Sequence, residues 1–251
     1  MATAVSPVRV GTAGWSIPRA NSNQFAAGES VLIRYGSQFN AVEINSSFYR
    51  PHRGSTYARW AACVPDGFSF AIKAPRQATH ERRLVDAAEL LMSFREGIDH
   101  LGDKLGVVLF QLPPSLSFDD RVAGRFFGAW REMCDAPTVC EPRNPGWFSA
   151  AAVTRLAEAE IAYVIADPPV FDEPPQAMSL AGCAYYRLHG SPVMYESAYG
   201  PGRLDWLARH LIGSVAARPT WCIFDNTKFG AATSDALALT EILEGRGRGG
   251  P

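Results

Sequence analysis

The sequence predicts an α/β fold, a single (β/α)8 barrel with eight parallel strands. Two observations predict it. Eight short apolar runs alternate with segments of helical period, and no shift in composition divides the 251 residues into separate units. Strands alternating with helices imply parallel β-α units, and eight of them favour a closed barrel over the runner-up, an open doubly wound sheet.

The strand candidates, in order, are VRVG (8–11), AVEIN (41–45), FSFAIK (68–73), GVVLFQL (106–112), TVCEP (138–142), IAYVIAD (161–167), AYYRLHG (184–190) and TWCIFDN (220–226). Helical period marks 86–105, 119–133, 149–160 and 202–217, and Asp119, Ser149 and Ser234 read as helix caps. Two connections are irregular. One follows strand 1 (12–28), and the other is a Pro-rich loop after strand 6 (168–182), where a sixth helix is expected. The domain is placed at 8–243, after a short extension (1–7) and before a Gly-rich tail (244–251) expected to be flexible.

Composition narrows the function classes. With 47% hydrophobic and 20% charged residues and a net charge of -1, the chain has no global field to attract nucleic acid or anionic membrane. The five cysteines show no C-x-x-C spacing and read as reduced thiols. Neither a basic, apolar leader nor a run of about 18 apolar residues is present, so a cytoplasmic protein is expected.

The chemistry is expected at the strand ends. AVEIN places Glu43 and Asn45 two apart, on one face of a strand. An unpaired buried carboxylate costs several kcal/mol, so the strand must meet partners or a polar site. The other ends supply Thr12, Lys73, Gln111, Glu141 with Arg143, Asp167, Arg187 with His189, and Asp225 with Asn226. Together they predict a polar ring at the C-terminal mouth. Arg143, Arg187 and Lys73 are read as an anion clamp. Glu43, Glu141 and His189 are read as acid and base, with Asp225 orienting a partner. Lys73 has two further readings, a salt bridge to Glu43 or a Schiff-base amine if desolvated.

Loops after strands 1 to 3 add Trp15, Tyr49, Arg76 and His80 as recognition groups, an aromatic and basic mixture that also suits nucleotides, while Trp15, Phe48 and Tyr49 are equally read as plugs of the loop core. Carboxylates with Asn and Gln suit Mg²⁺ or Mn²⁺, whereas five histidines, two of them in helical segments, argue against a zinc cluster. Motifs for Ser hydrolases, P-loops, zincins and dinucleotide binding are absent.

In this order, GTAGWS, VEINSSFYR, FAIKAPRQATH, VLFQLPPS, EPRNPGWF, YYRLHG and FDN resemble the domain of unknown function 72 family, the YecE-like proteins, over about residues 8–243. The resemblance implies a TIM barrel, distantly similar to endonuclease IV and xylose isomerase-type folds. It carries motif positions onto Trp15, Glu43, Asn45, Tyr49, Lys73, Arg76, His80, Gln111, Glu141, Arg143, Trp147, Arg187, His189, Asp225 and Asn226. The chain departs from the pattern at Ala13, Ile17, Pro142, Asn144 and Gly146, and a histidine usual in the fifth motif is missing. The expectation is a barrel that binds, and as an enzyme transforms, a small anionic substrate. A nucleic-acid-binding barrel and a non-catalytic ligand sensor are the alternatives.

Overall fold

The computed structural model describes residues 8–170 and 182–248. Eight parallel strands form one sheet: β1 (Arg9–Thr12), β2 (Ala41–Ile44), β3 (Ser69–Lys73), β4 (Leu105–Leu112), β5 (Thr138–Pro142), β6 (Ile161–Asp167), β7 (Ala184–Leu188) and β8 (Thr220–Phe224). From β2 to β8 each strand pairs with the next in sequence, and β8 pairs with β1, so the sheet curls into a (β/α)8 barrel that is nearly closed between β1 and β2. Helices α1 (Val31–Tyr35), α2 (Ser46–Tyr49), α3 (Gly54–Ala62), α4 (Ala88–Ile98), α5 (Asp120–Met133), α6 (Ala150–Glu158), α7 (Pro201–Val215) and α8 (Ala231–Arg248) fill the connections. The Pro-rich loop expected after strand 6 falls almost wholly outside the described residues, as does the 1–7 extension.

The strands alternate strictly between two cores. Inward residues Ala41, Ala71, Val107, Leu109, Val139, Ala162, Tyr185, Trp221 and Ile223 pack inside the barrel. Outward residues such as Val42, Phe70, Phe110 and Cys140 pack against the helices. The small residues on β2, β3 and β6 leave volume for Tyr185 and Trp221, which stack at 6.0 Å between ring centroids. Helix α5 shows why its sequence folds as it does. Asp119 caps the Val122 N–H at 2.9 Å, and Ala123, Phe126, Phe127 and Trp130 recur at helical spacing on the buried face.

Closure between β1 and β2 uses side chains. The backbone makes one isolated parallel bridge there, Ala13 against Glu43, with the Gly14 N–H donating to the Glu43 carbonyl at 2.8 Å. Below it the Asn40 amide accepts from the Val10 N–H at 2.9 Å and donates to the Val8 carbonyl at 3.0 Å. The buried Tyr35 hydroxyl accepts from the Thr12 N–H at 2.8 Å and donates to the Ala41 carbonyl at 3.2 Å. Gly11 permits this approach, since a methyl there would stand 2.0 Å from the Ala41 oxygen.

Several boundaries differ from those expected. Strands 7 and 8 end at Leu188 and Phe224, so His189, Asp225 and Asn226 lie just past the sheet. Ser234 does not cap a helix: α8 begins three residues earlier at Ala231, and the Ser234 hydroxyl bonds Asn21. Helix α8 also runs on through Gly245 to Arg248, into the stretch expected as a flexible tail, and Arg246 pairs with Asp205. The connection after strand 1 holds a 3-10 turn at Arg19–Gln24. All five cysteines are free thiols, and four are buried. No helix among the described residues is long and apolar enough to cross a membrane.

Candidate active site

Continuing the inward faces to the strand ends replaces apolar side chains with a charged layer. Glu43 follows Ala41, Lys73 follows Ala71, Gln111 follows Leu109, Glu141 follows Val139, Arg187 follows Tyr185, and Asp225 follows Ile223. Period two and barrel closure bring these six together at the C-terminal mouth.

Arg187 is the hub, and it is fully buried. Its Nε and Nη2 meet Glu43 as a fork, at 3.0 and 2.8 Å. Nη1 donates to Glu141 at 3.0 Å, and Nη2 stands 3.0 Å from Asp225. Tyr185 adds a hydroxyl donated to Glu43 at 2.8 Å. Burial alone would lower the pKa of Arg187, yet Asp225, Glu43 and Glu141 outweigh it and hold the pKa well above the ordinary value. Burial likewise pushes Glu141 up, but Arg187, the His189 hydrogen bond and Arg143 hold it well below the usual carboxylate range. Asp225 follows the same logic, lowered by Arg187, His189 and Lys73 against its burial.

This geometry corrects two expected roles. Arg187 cannot clamp substrate, because three carboxylates surround its guanidinium and no solvent reaches it. Glu43 is equally enclosed between Arg187 and Tyr185, which removes it from proton transfer and leaves no salt bridge to Lys73.

His189 lies between the other two carboxylates, with Nδ1 3.1 Å from Asp225 and Nε2 2.8 Å from Glu141. Arg143 Nη2 approaches the same Nε2 at 2.6 Å and also pairs with Glu141. The two contacts at Nε2 require different protonation. With the proton on Nε2 the ring donates to Glu141, whereas with Nδ1–H donated to Asp225 the bare Nε2 accepts from Arg143. A proton thus has more than one resting place. His189 is buried, with Arg143 against it and the Tyr195 ring in a T-shaped contact at 5.5 Å between centroids. Gly190 turns the chain after it at φ 91°, where a Cβ would stand 2.8 Å from the Ser197 carbonyl.

Lys73 and Arg143 have open valences. The Lys73 side chain ends over the Phe48 ring, 4.1 Å from its centroid, and among the described residues Arg143 is bonded only through Nη2. Gln111 donates to Glu141 at 2.8 Å and fixes that carboxylate. His80 bonds the Thr79 hydroxyl at 2.8 Å through Nδ1, and its ring meets Phe48 edge-on at 5.0 Å, beside Lys73. The Asn45 Oδ1 is buried without a hydrogen-bond partner among the described residues.

Other expected residues lie elsewhere. Trp15 packs edge-on against Trp60 at 5.0 Å. Arg76 is exposed and pairs with Glu81 at 3.7 Å. Tyr49 is 72% exposed. Asp167 binds Arg203 at 2.7 Å, and the Asn226 amide turns to Asp235 at 2.7 Å. Sequence reasoning missed Tyr185, whose place two residues before Arg187 was the available signal. The donor set does not fit a divalent ion. Its carboxylates turn onto Arg187, and among the described residues no group of three or more His, Cys, Asp or Glu could hold a metal.

Comparison with known proteins matches residues 9–249 to the family model described as "Protein of unknown function DUF72". The chain belongs to the DUF72 family. A crystal structure of a DUF72 protein from Thermotoga maritima superposes with a TM-score of 0.78 at 23% identity, covering 94% of this chain and 99% of that one. A DUF72 protein from Enterococcus faecalis gives 0.77 at 20% identity, over 95% and 96%. The UPF0759 protein YunF of Bacillus subtilis is 29% identical over 150 residues, 57% of this chain and 52% of YunF. That match spans about half the length of YunF, and at under 25% identity the DUF72 structures establish the fold alone.

Proposed function

We propose that this DUF72 barrel binds a small anionic substrate at its C-terminal mouth and moves a proton on it. The observation that supports the reading best is the pair of open cations, Lys73 and Arg143, set over a buried anionic cluster. Arg143 offers Nε and Nη1 to a carboxylate or phosphate. Behind it, Glu141, His189 and Asp225 form a chain of hydrogen bonds through which a proton can shift when Arg143 is drawn toward a ligand. Arg187 and Glu43 hold this chain in place and touch no substrate.

The test is a thermal-shift panel with inorganic phosphate, pyruvate, sugar phosphates, nucleotides and a short single-stranded oligonucleotide. A ligand at 100 times its Kd stabilises by about 2.7 kcal/mol, a shift of several degrees. A shift with one small anion that Arg143→Met abolishes is expected. A second reading rests on the exposed Tyr49 beside the exposed Arg50, a surface on which a base could stack. Stabilisation by the oligonucleotide alone would replace the first reading with this one, and stabilisation without turnover of any bound compound would leave a ligand sensor.

A further inference from the structure

The chain is sparing with lysine. Of its 24 cationic side chains only three, Lys73, Lys104 and Lys228, are lysines. Lys104 donates to the Pro65 carbonyl at 2.7 Å, and Lys228 pairs with Glu196 at 2.5 Å. Lys73 differs from both. It is 5% exposed, lies over the Phe48 ring, and makes no hydrogen bond or ion pair among the described residues. Its natural partner Glu43 is held by Arg187 and Tyr185. An arginine would keep its charge at this place, whereas a lysine can lose its proton and become a nucleophile.

We propose that the Lys73 Nζ forms an imine with an aldehyde or ketone that carries a carboxylate or phosphate, the anionic group lying against Arg143. This rests on the anion-binding reading above and narrows its substrate class. Burial and then the charge of Arg187 lower the Lys73 pKa to about 8, against the opposing pull of Glu43, Glu141 and Asp225. Free amine is therefore present near neutrality. Nζ attacks the carbonyl carbon and forms the C–N bond while the π pair moves to oxygen, which takes a proton. The two amine protons and that oxygen then leave as water, and the C=N bond remains. His80 stands beside Phe48 as a proton acceptor. Its pKa is lowered by burial, then by Lys73 and Arg76, so it is neutral at physiological pH.

The experiment is reductive trapping. The protein is incubated with pyruvate, dihydroxyacetone phosphate or uncharged propanal in the presence of borohydride, and its peptides are mapped by mass. At least one anionic carbonyl should label Lys73, adding its own mass less one oxygen, at least tenfold faster than Lys104 or Lys228, with excess phosphate competing. The labelling rate should reach half its maximum near pH 8. No labelling, or labelling no faster than at Lys104 and Lys228, would overturn the imine. If phosphate still shifts the melting temperature in that case, the anion site stands without it. Labelling by propanal alone would overturn the anionic class of substrate. Lys73→Met should abolish the label, and because the map of the unaltered protein identifies the modified lysine, the result does not depend on that variant folding.

Discussion

Arg187 and Arg143 carry the same guanidinium at the same end of the barrel and meet different surroundings. Arg187 is enclosed by three carboxylates, so Arg187→Met should leave them uncompensated and destabilise by about 3–5 kcal/mol in urea unfolding. Arg143→Met removes one partner at a mostly buried but not sealed edge and should cost less stability than that while abolishing the anion-induced thermal shift. Lys73 is predicted to oppose folding. Its folded pKa of about 8 lies below the ordinary 10.5, so between those values the unfolded chain binds more protons than the folded one and stability rises with pH. Below pH 8 the full cost of burying the ammonium is present. Lys73→Met should therefore stabilise the protein by about 1–3 kcal/mol at pH 7, the gain shrinking towards pH 10 in chemical denaturation. A loss of stability at pH 7 would show that the amine has a structural partner after all.

At the scale of the elements, the β1–β2 seam carries the sharpest prediction. Tyr35→Phe removes the hydroxyl that serves both the Thr12 N–H and the Ala41 carbonyl, and should cost about 1–3 kcal/mol. Gly11→Ala drives a methyl into the Ala41 oxygen and should cost as much or more. Hydrogen exchange would locate both losses in β1 and β2. Most elements were legible in the sequence, because apolar runs and amphipathic periods are local signals. The charged layer was legible for the same reason, since Glu43, Lys73, Gln111, Glu141 and Arg187 each continue an inward face two residues at a time. Which of them would meet was not legible. Arg187 joins β2, β5 and the residue after β8 only once the barrel has closed, and no local pattern reports that closure. Trp15 took its alternative reading and plugs the loop core, whereas the places of Tyr49 and Arg76 were not legible because they follow strands, where side-chain direction is set by turn geometry and not by a period.

For the whole molecule, the paired carboxylates set the response to acid. Glu141 and Asp225 have folded pKa values below their unfolded ones, so their contribution is present above the ordinary carboxylate range and is lost as pH falls through the folded values. Stability should therefore fall steeply below about pH 4, and Asp225→Asn should flatten that slope in acid-titrated urea melts. An unchanged slope would place the acid sensitivity elsewhere. The mouth cluster also sets a charge balance. Glu43, Glu141 and Asp225 stand against Arg143, Arg187 and Lys73, three of each sign while the lysine is protonated. An arriving anion tips that parity by one charge, which favours a proton on Lys73. Anion and proton would then enter as co-ligands: calorimetry in buffers of different ionisation enthalpy would record proton uptake on binding, and affinity would tighten as pH is lowered from 9 to 7.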